Sequence, residues 1–120
     1  GPPALLTDKG ILLLYNGKNR VDDKRDTRFP AGTYSAGQLL FDAHNPGKVI
    51  GRLDVPFFRP MDNFEKSGQY KDGTVFIEGL VFFKGKWFLY YGCADSLVGV
   101  AIFDPSKKTS GDPLPKNTEA

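Results

Sequence analysis

Cysteine and histidine are nearly absent: Cys93 and His44 are the only ones in 120 residues. One thiol cannot form an internal disulfide, so no disulfide framework substitutes for a core. No Cys/His cluster has metal-ligand spacing, so zinc is not expected. An excess of either charge is missing as well. A net charge of +2 gives no electrostatic case for nucleic acid or an anionic membrane. No apolar run approaches the roughly 20 residues of a membrane-spanning helix, and Ile11 to Tyr15 has only strand length. The opening Gly1-Pro2-Pro3 has no Met, no basic start and no long apolar segment. It reads as a cut chain without a signal peptide, and the compartment, cytoplasmic or periplasmic, stays open. No segment has an amphipathic helical period. Walker-type and dinucleotide glycine loops and the G-x-S-x-G elbow are also lacking, so no cofactor is called for.

What the chain does have is aromatics and turn residues: ten Phe, five Tyr and one Trp, with 14 Gly and nine Pro. Short aromatic-rich runs punctuated by Gly and Pro predict all-β structure. One pattern occurs twice. Gly10-Ile11-Leu12-Leu13-Leu14-Tyr15-Asn16-Gly17 returns as Gly85-Lys86-Trp87-Phe88-Leu89-Tyr90-Tyr91-Gly92. Each copy is followed by a second match, Gly37 to Asp42 and then Gly99 to Asp104. Around these the spacing predicts strands over 4–7, 11–15, 34–43, 48–53, 74–84, 87–91 and 98–103. A long charged loop fills 18–30, and a linker without regular structure fills 56–71. The order gives a four-stranded antiparallel unit once in full and once without its fourth strand. Four-stranded units in ordered repetition are propeller blades; a small β-sandwich is the competing architecture. The expected organisation is a partial propeller over 1–105 and a frayed tail over 106–120. Two blades leave faces and edges open, so further blades or self-association are expected to cover them.

Chemistry is expected where the repeats differ. Asp95, in Tyr91-Gly92-Cys93-Ala94-Asp95-Ser96, stands after a strand among small residues and can accept hydrogen bonds from sugar hydroxyls; the alternative is a turn-capping role. Glu78 interrupts an apolar strand, where burial without a partner is costly and raises a carboxyl pKa toward acid–base use; the alternative is an exposed face. Tyr34 and Asn16 lie at predicted strand ends, and in the aligned repeat Asn16 matches Tyr91. Arg28 and Arg20 can reach a ligand from the long loop or simply be solvated. Cys93 reads as a packed small residue rather than a nucleophile.

Together, Gly1-Pro2-Pro3-Ala4, Gly10 to Gly17, Tyr34 to Asp42, Lys48-Val49-Ile50-Gly51-Arg52 and Tyr90-Tyr91-Gly92-Cys93-Ala94-Asp95 resemble family 130 of the glycoside hydrolases. That family comprises β-mannoside phosphorylases and β-1,2-mannosidases on a five-bladed propeller. The likeness covers nearly all of residues 1–105 and implies about two C-terminal blades. It implies that Asp95 contacts the sugar before the scissile bond and that Tyr34 lines the phosphate or water side of the pocket. It places a phosphate-binding His of the phosphorylases where this chain has Asn16, and a neutral amide is a poor ligand for phosphate. Phe-Ile-Glu-Gly around Glu78 resembles the hydrolytic branch, with the Glu as base for water. The general acid implied by the family is an Asp in N-terminal blades.

The expectation is therefore the C-terminal part of an inverting β-mannosidase, inactive alone, with Glu78 as base and Asp95, Tyr34, Asn16 and Arg28 as substrate-binding residues. The alternatives are a β-mannoside phosphorylase producing mannose 1-phosphate, a non-catalytic carbohydrate-binding module, or a purely structural repeat fragment. The expected ligand is an oligosaccharide.

Overall fold

A computed structural model of the chain describes residues 1–68 and 72–107. The tail expected over 106–120 falls outside the described residues from position 108 onward. The strands are β1 (Leu5–Thr7), β2 (Gly10–Lys18), β3 (Tyr34–Phe41), β4 (Val49–Arg52), β5 (Val75–Phe83), β6 (Lys86–Cys93) and β7 (Leu97–Phe103). They form one four-stranded sheet, β1-β2-β3-β4, and one three-stranded sheet, β5-β6-β7. All pairings between neighbouring strands are antiparallel. Strand existence and order agree with the sequence, and among the described residues the second sheet has three strands. Within the linker the structure adds one short 3-10 turn, Asn63–Glu65.

Tyrosine and glycine set the equivalence of the two sheets. Tyr15 lies opposite Gly37, and Tyr91 opposite Gly99. A Cβ on Gly37 would sit 2.3 Å from the Tyr15 ring, and one on Gly99 would sit 2.6 Å from the Tyr91 ring. Each tyrosine thus lies flat across a strand that must carry glycine there. Tyr15 is therefore the counterpart of Tyr91, one residue away from the sequence alignment, which matched Asn16 with Tyr91. The cause is local. Gly10 is the first residue of β2, whereas Gly85 lies in the β5–β6 turn with φ 78°. Aligning the two glycines matched a strand residue with a turn residue.

With that register corrected, unlike faces meet. Leu12, Leu14 and Ala36 of the first sheet pack on Val75, Ile77, Leu89, Tyr91 and Cys93 of the second in one buried cluster. Full burial of a side chain such as Ile77 contributes about 1.5–3 kcal/mol. The Tyr15 face of the first sheet, equivalent to the Tyr91 face, points away from this core, as does the Tyr90 face of the second. Two equivalent sheets stacked in this head-to-tail way are neighbouring propeller blades, not the two halves of a sandwich. Asn16 locks them together: its side-chain amide donates to the Ile77 carbonyl at 3.0 Å, and its oxygen accepts from the Ile77 N–H at 2.7 Å. At the same end of the sheets, Tyr34 bridges Thr74 in parallel. The Tyr34 N–H donates to the Gly73 carbonyl at 3.2 Å.

Candidate functional site

Three of the sequence-selected residues meet where the sheets join. Tyr34, Thr74, Phe76, Glu78 and Asp95 line an open hollow of about 280 Å³. Each arrives by a different local device. Tyr34 is the first residue of β3 and contacts Phe76 edge-on, with ring centroids 5.9 Å apart. The Lys18 ammonium lies 5.5 Å over the Tyr34 ring. Glu78 is the extra residue of a β-bulge: Ile77 pairs with Tyr91 and Gly79 with Tyr90, leaving Glu78 unpaired between them. A bulge re-aims the side chain it carries, and this one turns Glu78 outward. The burial expected for Glu78 is therefore not found; its side chain is exposed. The side of Gly79 is open, with nothing within 4 Å of a Cβ placed there.

Asp95 sits on the tight turn from β6 to β7. Ser96 N–H donates to the Cys93 carbonyl at 2.9 Å, and the two central residues, Ala94 and Asp95, have φ 48° and 53°. Positive φ at both positions is the condition of a type I′ turn, which favours Asn or Asp followed by Gly. Ala94 is unfavourable there, and such strain persists only where surrounding structure holds it. No described residue donates a hydrogen bond to the Glu78 or Asp95 carboxylate. Two unpartnered carboxylates beside an aromatic ring and an open glycine suit a polyhydroxylated ligand.

Asn16 and Arg28 do not line this hollow. Both polar ends of Asn16 are engaged by Ile77. Arg28 pairs with Asp26 at 2.7 Å and with Asp54 at 2.9 Å, tying the long loop to the segment after β4. This pairing raises the guanidinium pKa, and Arg28 in turn holds the Asp26 carboxyl below the usual range. Arg20 pairs with Asp22 inside the same loop. The loop is ordered by Asn19, whose amide nitrogen lies 3.0–3.1 Å from the carbonyls of Asp26, Phe29 and Pro30.

Sequence reasoning missed Glu65, which is 3% exposed. One carboxylate oxygen accepts from the Met61 and Asp62 N–H groups at 2.6 and 2.9 Å; the other accepts from the Tyr91 hydroxyl at 2.8 Å. The available signal was Asp62-Asn63-Phe64-Glu65, an acidic residue three positions after a capping residue. Burial, and next the Glu65 hydrogen bond, pushes the Tyr91 hydroxyl pKa upward.

The comparisons with known proteins agree with this architecture. The family model for glycoside hydrolase family 130, described as beta-1,4-mannooligosaccharide phosphorylase, matches residues 1–107. A beta-1,2-mannobiose phosphorylase of Thermoanaerobacter sp. (strain X514) is 35% identical over 107 residues, covering 89% of this chain and 32% of the relative. A 1,2-beta-oligomannan phosphorylase of the same organism is 34% identical over 104 residues, covering 87% and 31%. Among solved structures, one is described by the statement that the GH130 family of mannoside phosphorylases contains glycoside hydrolases that target beta-1,2 mannosidic linkages in Candida mannan. It superposes with a TM-score of 0.87 at 65% identity, covering 97% of this chain and 32% of that one. A glycosyl hydrolase from Bacteroides ovatus superposes with a TM-score of 0.84 at 65% identity, covering 96% and 31%. The chain thus spans about a third of the length of the proteins it matches. With a family match across both sheets and their repeated order, this chain belongs to glycoside hydrolase family 130.

Proposed function

We propose that these residues form two blades of an enzyme that cleaves β-mannosidic bonds, and that the hollow between Tyr34, Glu78 and Asp95 is one wall of its active site. The observation that carries this is the meeting of Glu78 and Asp95 in one hollow, although 17 positions separate them in the chain. Asp95 is the sugar ligand, held at the tip of its turn. Tyr34 lines the same wall. Asn16 and Arg28 act from behind it, the first by joining the blades and the second by fastening the long loop. The partial propeller extends over 1–105, and further blades supply the general acid.

The acceptor of the mannosyl group is phosphate or water. Phosphate has the broader support: the family description and the curated relatives are phosphorylases. Phosphorolysis, the alternative to the hydrolysis expected from the sequence, is thus the better supported of the two. Water is the second reading, and a specific observation favours it. Among the described residues, the lining of the hollow includes two carboxylates and no Lys, Arg or His, and the Lys18 ammonium lies over the Tyr34 ring, 5.5 Å from its centroid. An inverting hydrolase needs a base for water, which Glu78 can provide, whereas phosphate needs cationic partners. The 65% identical structure described above belongs with this reading.

The test is product analysis of the full-length protein on β-1,2-mannobiose with and without inorganic phosphate. Mannose 1-phosphate, formed only with phosphate, gives phosphorolysis. Mannose released at the same rate in phosphate-free buffer gives hydrolysis, and Glu78→Gln is then expected to lower kcat by about 100-fold or more. No cleavage of any β-mannoside would sink both.

A further inference from the structure

The strained turn that carries Asp95 is held from outside its own hairpin. Glu65 reaches it by two routes. Through its carboxylate, Glu65 accepts the Tyr91 hydroxyl at 2.8 Å, on β6 four residues before Asp95. Through its main-chain carbonyl it accepts the Thr74 N–H at 2.9 Å, and the Thr74 carbonyl in turn accepts the Ala94 N–H at 2.9 Å. Thr74 also lines the hollow and bridges to Tyr34. Tyr91 is constrained further by the Phe58 ring, edge-on at 4.6 Å, and by Gly99 beneath it. A buried carboxylate is expensive unless its oxygens are occupied. Here both are, and the partners are the linker backbone and the strand that ends in the Asp95 turn.

On the reading of the hollow as a mannoside site, we propose that Glu65 is a positioning residue. It fixes the Cys93–Ser96 turn through Tyr91 and Thr74 and thereby sets where the Asp95 carboxylate stands. The linker, which looks like a mere connection between blades, thus reaches substrate through two intermediaries. Ala94 and Asp95 in left-handed conformations do not hold this turn by their own preference, so the external ties decide its geometry.

Hydrogen exchange on the full-length protein tests the positioning without any substrate. In Tyr91→Phe the Ala94 amide is expected to exchange about tenfold faster while the β2–β3 ladder amides keep their rates. Glu65→Gln is expected to speed the same amide. An unchanged Ala94 rate in both variants, or equal acceleration throughout both sheets, overturns the proposal. Kinetics on β-1,2-mannobiose supply the second readout. Tyr91→Phe is expected to raise KM about tenfold with kcat within about twofold, and to add nothing further in an Asp95→Asn background, since both act at one point. An unchanged KM, or additive effects in the double variant, overturns it. If the unmodified protein cleaves no mannoside, the functional reading falls, and the exchange experiment still decides the role of Glu65.

Discussion

The thiol of Cys93 is fully buried on the face of β6 that meets the first sheet. Burial, and then the charge of Glu65, raises its pKa above the ordinary 9.0 of a thiol. A raised pKa means less thiolate at any pH below it, and the thiolate is the reacting form. Iodoacetamide at pH 8 is therefore expected to leave Cys93 unmodified in the native protein and to modify it fully in denaturant, as read by intact mass. Rapid native alkylation would contradict the packing described. At this scale the sequence was informative where a residue broke its local pattern. Glu78 stood out in an apolar strand and Asp95 in a run of small residues, and both face the hollow. Glu65 did not stand out, because a Glu in a polar linker looks solvated until tertiary contacts bury it. Asn16 was selected for its position at a strand end. Its two hydrogen bonds to Ile77, 61 residues away, are contacts that no local pattern encodes.

Among the elements, strands were legible and their register was not. Apolar runs and turn residues mark β2, β3, β5, β6 and β7 within a few residues. Glycines alone do not tell a turn from a strand start, and so the repeats aligned one residue out. The bulge at Glu78 was equally hidden. It adds one residue to β5, and only the partner strand reveals the excess. Asn16 provides the test of the element packing. Asn16→Ala leaves both the N–H and the carbonyl of Ile77 without their partner, an expected loss of about 3 kcal/mol at about 1–3 per unpaired group. Denaturant titration measures it as a lower midpoint at unchanged slope. A loss below about 0.5 kcal/mol would mean that water replaces the bridge without cost.

For the whole molecule, the repeat in the sequence announced blades, and the structure shows how they stack. The head-to-tail arrangement leaves one face of each kind uncovered. On the second sheet Val81, Phe83, Tyr90, Val98, Val100 and Ile102 are exposed, with Val98 at 80%. On the first, Leu6 is exposed, and Ile11, Leu13 and Tyr15 are half-buried. These faces match the two that already meet in the core, so a second copy can dock as the second sheet docks on the first. The 120-residue chain produced alone is expected to elute as several species whose average mass rises with concentration, as followed by light scattering. A compact monomer at all concentrations would contradict this. Because the two free faces differ, such growth does not stop at a pair. A copy carrying Val100→Lys on the Tyr90 face still offers an intact Tyr15 face. It can join one end of a growing stack and then refuse the next arrival, acting as a chain terminator at substoichiometric dose.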